Sequence, residues 1–289
     1  MEDALKLKLI FIIALILAFS FMVSCYGSMR VIKDTLDIYF LDVGQGDAIF
    51  ISSPNGFNLL IDTGIRSAYT KVSSFLDSLG IDSIDVAVAT HPHADHIGSM
   101  ASVISDYNVQ NFYMPKLKSE SAAYESMMRA LKEMSLSPIY VTAETTSNID
   151  FDPEVSVEVL SPHISGDYDE PNDSSIVLRV TYGSVSTLLT GDLESYGETV
   201  ALALTDKALF NADILKVGHH GSSTSSSLNF LNAVSPRLAV ISYGINNSYG
   251  HPDPETLDRL DLLNIPYIST ADMGTIHIVI DGEDFIVAD

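Results

Sequence analysis

The chain predicts an α/β fold, a four-layer αββα sandwich in which two mixed sheets pack face to face with helices outside. Strand patterns come both in antiparallel runs and in alternation with helices, and the interior has neither a repeat nor a linker, so one domain is expected rather than two.

The elements follow in order. "LDIYFLDVGQGDAIFISS" alternates as a strand pair with "GQG" at its turn, "PNG" marks the next turn, and "FNLLIDTG" is a strand ending on Asp62. Val72, Phe75, Leu76 and Leu79 before Gly80 fit one helix face. "SIDVAVAT" is a continuous apolar strand, "ESAAYESMMRALKEM" a helix, and "EVSVEVLS", "SSIVLRVTYG" and "VSTLLTGD" are strands. "YGETVALAL", "SLNFLNAV" and "PETLDRLDLL" are helices that alternate with the strands "ADILKVGHHGS" and "RLAVISYG". "GTIHIVIDG" and "DFIVAD" close the chain as a hairpin, which makes His277 a strand residue of structural use.

Composition sets bounds on function. Hydrophobic residues are 46% of the 289, enough for a core, while the net charge is −23. Such a surface repels a phosphate backbone unless a basic patch or bound metal compensates, and the longest basic cluster is only "KLK", Lys116 to Lys118. One cysteine, Cys25, excludes an internal disulfide. Lys6 and Lys8 precede the uncharged run Leu9 to Ser24, the pattern of a secretion signal over residues 1–24. "MVSC" resembles the lipobox of bacterial lipoproteins, which implies cleavage before Cys25 and a lipid on its thiol. An uncleaved anchor helix is the alternative, and either places the rest outside the cytoplasm, anchored to a membrane. Residues 25–35 are then a tether and 36–289 the domain.

"ATHPHADHIGSM" places His91, His93, Asp95 and His96 within six residues at the end of an apolar strand. On an extended segment His91 and His93 point the same way and can address one ion, and Asp95 and His96, after a turn, a second. "HPHADH" matches the H-x-H-x-D-H signature of the metallo-β-lactamase fold. That resemblance implies a bridging carboxylate, Asp192 in "LLTGD", a last histidine, His219 in "ILKVGHHGS", and Asp62 as a brace that binds no metal. The imidazole usual before the bridging aspartate is missing from "SPHISGDYDEPNDSSIVL". Asn172 or Asp173 stands nearest, His163 lies upstream, and water is the remaining choice. An oxygen ligand there tilts the first site from zinc toward manganese.

"FLDVGQGDAIFI", "PNGFNLLIDTG", "THPHADHIGS", "NDSSIVL", "LKVGHHGSSTS" and "ISYGINNSYGHP" occur in the order seen in the extracellular hydrolase domain of ComEC-type DNA-uptake proteins, which this chain resembles from about Asp37 to Ile280. The resemblance implies an exported hydrolase with two divalent ions, zinc or manganese, that cleaves a phosphodiester. Single-stranded DNA is the polymer it favours, and no protein partner is implied. Asp95, His220 and His251 are candidates for orienting the nucleophile and protonating the leaving group. Ser222 and Ser223 of "GSSTSSS" are candidates for binding phosphate at a helix start. "DVGQGD" reads as a structural turn. Hydrolysis of a β-lactam, thioester or lactone, and a lipoprotein that binds a ligand without chemistry, are the competing readings.

Overall fold

A computed structural model describes residues 34–166 and 168–288; Cys25 and the apolar run before it lie outside them. The first half of the chain supplies β1 (Leu36–Phe40), β2 (Ile49–Ser52), β3 (Asn58–Ile61), α1 (Tyr69–Ser78), β4 (Ser83–Val88), α2 (Ala94–Ile97), α3 (Met100–Asp106), β5 (Asn108–Met114), α4 (Ala122–Glu133) and β6 (Ile139–Tyr140). The second supplies β7 (Val155–Ser161), β8 (Val177–Tyr182), β9 (Val185–Leu189), α5 (Ser195–Leu204), β10 (Ile214–Lys216), α6 (Leu228–Val234), β11 (Leu238–Ile241), α7 (Pro254–Leu262), β12 (Tyr267–Ser269) and α8 (Thr270–Met273). The hairpin β13 (Ile276–Ile280) and β14 (Phe285–Ala288) ends the chain.

Two sheets result, in the orders β14-β13-β1-β2-β3-β4-β5-β6 and β12-β11-β10-β9-β8-β7. Each half begins with antiparallel strands, β1 to β3 and β7 to β9, and continues with parallel ones, β4 to β6 and β10 to β12.

Alternation decides which residue faces which layer. Ile49 and Ile51 of β2, Leu59 and Ile61 of β3, and Val86 and Val88 of β4 join Leu178, Ile214 and Val240 in the core between the sheets. Phe50, Leu60 and Ala87, one step out of phase, pack instead with Val72, Met100, Val103 and Leu131 under the first helical layer. Leu188, Leu215 and Ala239 meet Phe230, Leu231 and Leu260 under the second. Strands buried on both faces are apolar throughout, which is why "VAVA" and "LAVI" carry no polar punctuation.

Caps fix the helix starts. Ser121 accepts from Tyr124 N at the start of α4, and Ser227 accepts from Phe230 N at the start of α6. Elements outside the predicted set are short or polar: β5 opens on exposed Asn108, β12 has three residues, and α2 and α3 are four and seven residues long. Leu79, expected on the buried face of α1, is 42% exposed because the helix ends at Ser78. Among the described residues no helix is long and apolar enough to cross a membrane.

Candidate metal centre

The histidines and aspartates of the cluster gather at the C-terminal ends of β3, β4, β9 and β10, from both halves. Beyond β4 the chain runs through Ala89 and Thr90 to His91, whose Nε2 lies 3.1 Å from His93 Nδ1. His93 is the N-cap of α2, so a helical turn, and not the simple turn expected, delivers Asp95 and His96. Asp62 follows β3 with a left-handed φ of 56° and is fully buried. It accepts from Thr90 N at 2.8 Å and Thr90 Oγ1 at 2.6 Å, and it faces His96 Nδ1 at 2.7 Å. With Asp62 paired to Nδ1, Nε2 is the nitrogen that His96 turns toward the cluster.

Asp192 follows β9 and is the centre of the arrangement. Its Oδ2 lies 3.1 Å from His96 Nε2, 3.5 Å from His220 Nε2 and 3.8 Å from both His91 Nε2 and His219 Nε2. Strand β10 stops at Lys216, and His219 and His220 both adopt left-handed backbone, φ 47° and 55°, a conformation that costs side-chain-bearing residues free energy. The double turn folds His220 inward. Its Nδ1 donates to Ser242 O at 2.9 Å and its Nε2 stands 3.3 Å from Asp95 Oδ2. His219 stays at the rim, Nδ1 3.0 Å from Glu194 Oε1. His220, expected to serve the leaving group, thus lies with Asp95, His96 and Asp192, while His219, expected among the ligands, has Nε2 3.8 Å from Asp192 Oδ2 and lines the cleft.

The donor set fits divalent metal ions. Ligand atoms of Asp95, His96, Asp192 and His220 lie within 4.8 Å of one another. Two ligands on one tetrahedral zinc are about 3.4 Å apart, given bonds of about 2.1 Å. His96 Nε2, His220 Nε2 and Asp192 Oδ1 are buried without a hydrogen-bond partner. Such atoms are costly to bury unless a cation satisfies them. Asn172 adds another: its Nδ2 donates to Glu194 Oε1 at 2.9 Å, while its Oδ1 is buried and unpartnered.

The electrostatics agree with a site built for cations. Burial works against charge on Asp192, yet His220, His96 and His91 hold its carboxyl well below the usual carboxylate range. Burial likewise opposes charge on His96, and Asp192 and Asp62 override it to raise the imidazole well above its ordinary value. Beneath the cluster a fully buried Lys216 places Nζ 2.5 Å from Asp47 Oδ2 and donates to Gly191 O at 3.3 Å. Asp47 Oδ1 in turn lies 3.5 Å from His220 Nδ1. The "GQG" turn is structural, as expected: a Cβ on Gly46 would stand 2.1 Å from Asp95 O, so only glycine lets this loop press against α2.

The remaining candidates divide. Asn172, His219 and His251 line an open cleft of about 360 Å³ with Gln45, His93 and Asp95. Asp173 instead uses Oδ1 to accept from Gly197 N in the first turn of α5. His163 is packed elsewhere, its ring nitrogens each 2.9 Å from Glu144 Oε1 and Thr205 Oγ1. The donors of "GSSTSSS" are taken by the protein itself: Ser223 N by Asp253 at 2.7 Å, Ser226 N and Ser227 N by Glu198 at 2.5 and 3.0 Å. Ser222 N donates to His219 O, and Ser222 Oγ pairs with Thr224 Oγ1. The expected phosphate cradle is therefore filled by carboxylates, and Ser222 and Ser223 serve the loop's own fold. His277 pairs with Asp37 at 2.7 Å and stacks on Tyr39, the structural role expected.

Residues 41–245 match the family model of the metallo-beta-lactamase superfamily. ComE operon protein 3 of Bacillus subtilis is 32% identical over 258 residues, covering 83% of this chain and 32% of the relative. Competence protein ComA of Neisseria gonorrhoeae is 31% identical, covering 82% and 31%. The chain spans about a third of the length of the curated relatives it matches. The crystal structure of YhfI from Bacillus subtilis, a metallo-beta-lactamase fold protein, superposes with a TM-score of 0.55 at 11% identity, over 85% of this chain and 99% of that one. Sequence match, sheet order and the His/Asp cluster agree, and the chain belongs to the metallo-beta-lactamase superfamily.

Proposed function

We propose that the chain is a two-metal phosphodiesterase or nuclease, exported and held outside the cytoplasm by a lipid on Cys25 or by its N-terminal apolar run. The observation that carries the reading is Asp192 Oδ2, which lies within 3.8 Å of Nε2 of His91, from one ligand group, and of His96 and His220, from the other. A carboxylate shared between two ligand groups would suit a pair of ions. His91, His93 and Asn172 Oδ1 would complete one group, and Asp95, His96 and His220 the other. A bound pair of zinc or manganese ions would lower the pKa of a water and neutralise charge that builds on phosphoryl oxygens. The oxygen donor at Asn172 suits manganese as well as zinc.

The chain's own groups do the rest. Asp62 fixes the His96 tautomer, and Ser242 O does the same for His220. Burial disfavours charge on Asp95, but His220 and His96 keep its carboxyl deprotonated at neutral pH, where it can orient a water by accepting its hydrogen. His219, backed by Glu194, presents Nε2 at the cleft and is placed to give a proton to the leaving oxygen. Burial and the neighbouring His219 lower the pKa of His251, which leaves it neutral and able to bind a substrate oxygen through an N–H.

The test is turnover by the full chain reconstituted with manganese or zinc, on bis-p-nitrophenyl phosphate, single-stranded DNA and a chromogenic β-lactam, with His93→Ala as control. Phosphodiester cleavage lost in the control is the expected result. Cleavage of the β-lactam alone would reassign the bond, and tight metal binding without turnover on any of the three would favour a binding protein. Single-stranded DNA is the first polymer to try because the long relatives are competence proteins.

A further inference from the structure

The mouth of the cleft carries an aromatic ring that the metal chemistry does not use. Tyr249 is 67% exposed, and its ring lies over that of His251, 11° from parallel with centroids 5.8 Å apart. Both rings line the cleft beside His93, Asp95 and His219. What distinguishes this exposed ring is its position, beside the cleft that holds the metal-site residues.

The backbone that carries it is tied down. The Asn247 side-chain oxygen accepts from Tyr249 N and His251 N, each at 3.1 Å, and its amide donates to Gly244 O at 3.1 Å and to His251 O at 2.7 Å. One side chain thus makes four hydrogen bonds under the Tyr249 backbone. The ring runs nearly parallel to that of His251 and is largely exposed beside the cleft.

Charge supplies the second observation. No lysine or arginine is among the described residues that line the cleft, and the chain as a whole carries −23. Proteins that hold a phosphodiester strand combine basic grooves with aromatic platforms on which bases stack. With the basic groove missing, the platform is the remaining source of affinity beyond the metals.

We infer that Tyr249 is a stacking platform for a nucleobase, so that the site takes diesters of nucleosides in preference to diesters of aliphatic alcohols. This rests on the phosphodiesterase reading and names its substrate class. His251 beneath the ring keeps the platform in line with the cleft.

Binding by the manganese-loaded full chain, measured by calorimetry with phosphorothioate oligomers that resist cleavage, tests the assignment apart from turnover. The probes are a thymidine hexamer, a hexamer of abasic tetrahydrofuran units, and a thymidine dinucleotide. Wild type should bind the thymidine hexamer about tenfold or more tightly than the abasic one. Tyr249→Ala should remove that preference and leave abasic affinity unchanged, and Tyr249→Phe should keep it. A dinucleotide as tight as the hexamer would identify a small nucleotide diester as the ligand, and a weaker one a strand. Equal affinity of wild type for base-bearing and abasic hexamers, no binding of either, or an equal loss for both in Tyr249→Ala would overturn the inference. Failure of bis-p-nitrophenyl phosphate and DNA hydrolysis with the base preference intact would remove the phosphodiesterase reading alone.

Discussion

Replacing Lys216 by Met removes a cation from a place where water cannot substitute for it. Its Nζ is 2.5 Å from Asp47 Oδ2, and the two side chains are 0% and 2% exposed. The variant keeps the length and apolar stem of the side chain, so packing in β10 is nearly conserved and the loss is electrostatic. Asp47 would be left with Oδ1 already lacking a hydrogen-bond partner and Oδ2 newly abandoned. Orphaning one member of a buried pair costs about 3–5 kcal/mol. In a domain of this size that lowers Tm by about 10 °C. The assay is thermal and urea unfolding of the metal-stripped protein followed by circular dichroism, on Lys216→Met, Asp47→Asn and the double variant. The double variant should recover at least half of the loss, because it removes the uncompensated charge. A Lys216→Met protein within about 1 kcal/mol of wild type, or strict additivity of the two changes, would refute the reasoning.

Three other outcomes follow from the site. His220→Ala should reduce bound metal by one ion per chain in elemental analysis, whereas His219→Ala should keep the stoichiometry and lower turnover by about tenfold or more. Gly46→Ala should fold but bind metal at least about tenfold more weakly in a chelator competition, since its Cβ would collide with Asp95 O at 2.1 Å and move α2. Metal affinity should rise with pH: burial resists charge on His96 and His220, but Asp192 and the other carboxylates raise both imidazoles, so the metal-free protein holds protons that an ion must displace. Calorimetry in two buffers of different ionisation enthalpy should show net proton release, and none would contradict this ordering.

The first cluster was legible because its ligands are neighbours in sequence: six residues carry His91, His93, Asp95 and His96. Asp62 and Asp192 were legible as strand-end residues in motifs that resemble a known family. The different placement of the His219 and His220 side chains was not, because it depends on two successive left-handed residues that no side-chain pattern announces. Nor was the fate of the serine loop, whose amides face Glu198 and Asp253, 28 and 30 residues away in the sequence. Lys216 did leave a trace: a lysine inside "ILKV" on a strand buried on both faces must have a partner. Among the strands, those with alternating or unbroken apolar residues were readable, while β5, with Asn108, Gln110 and Asn111 in its first four residues, was not.

The closing hairpin has a consequence for the order in which the molecule is made. Strand β1 lies between β2 and β13, and Asp37 meets His277, 240 positions later. Until the last strands emerge, β1 is an open edge and the first sheet lacks its border. Contacts of such long range form late and slowly. Before those contacts form, β1 presents an unpaired edge to which a strand of another chain can add.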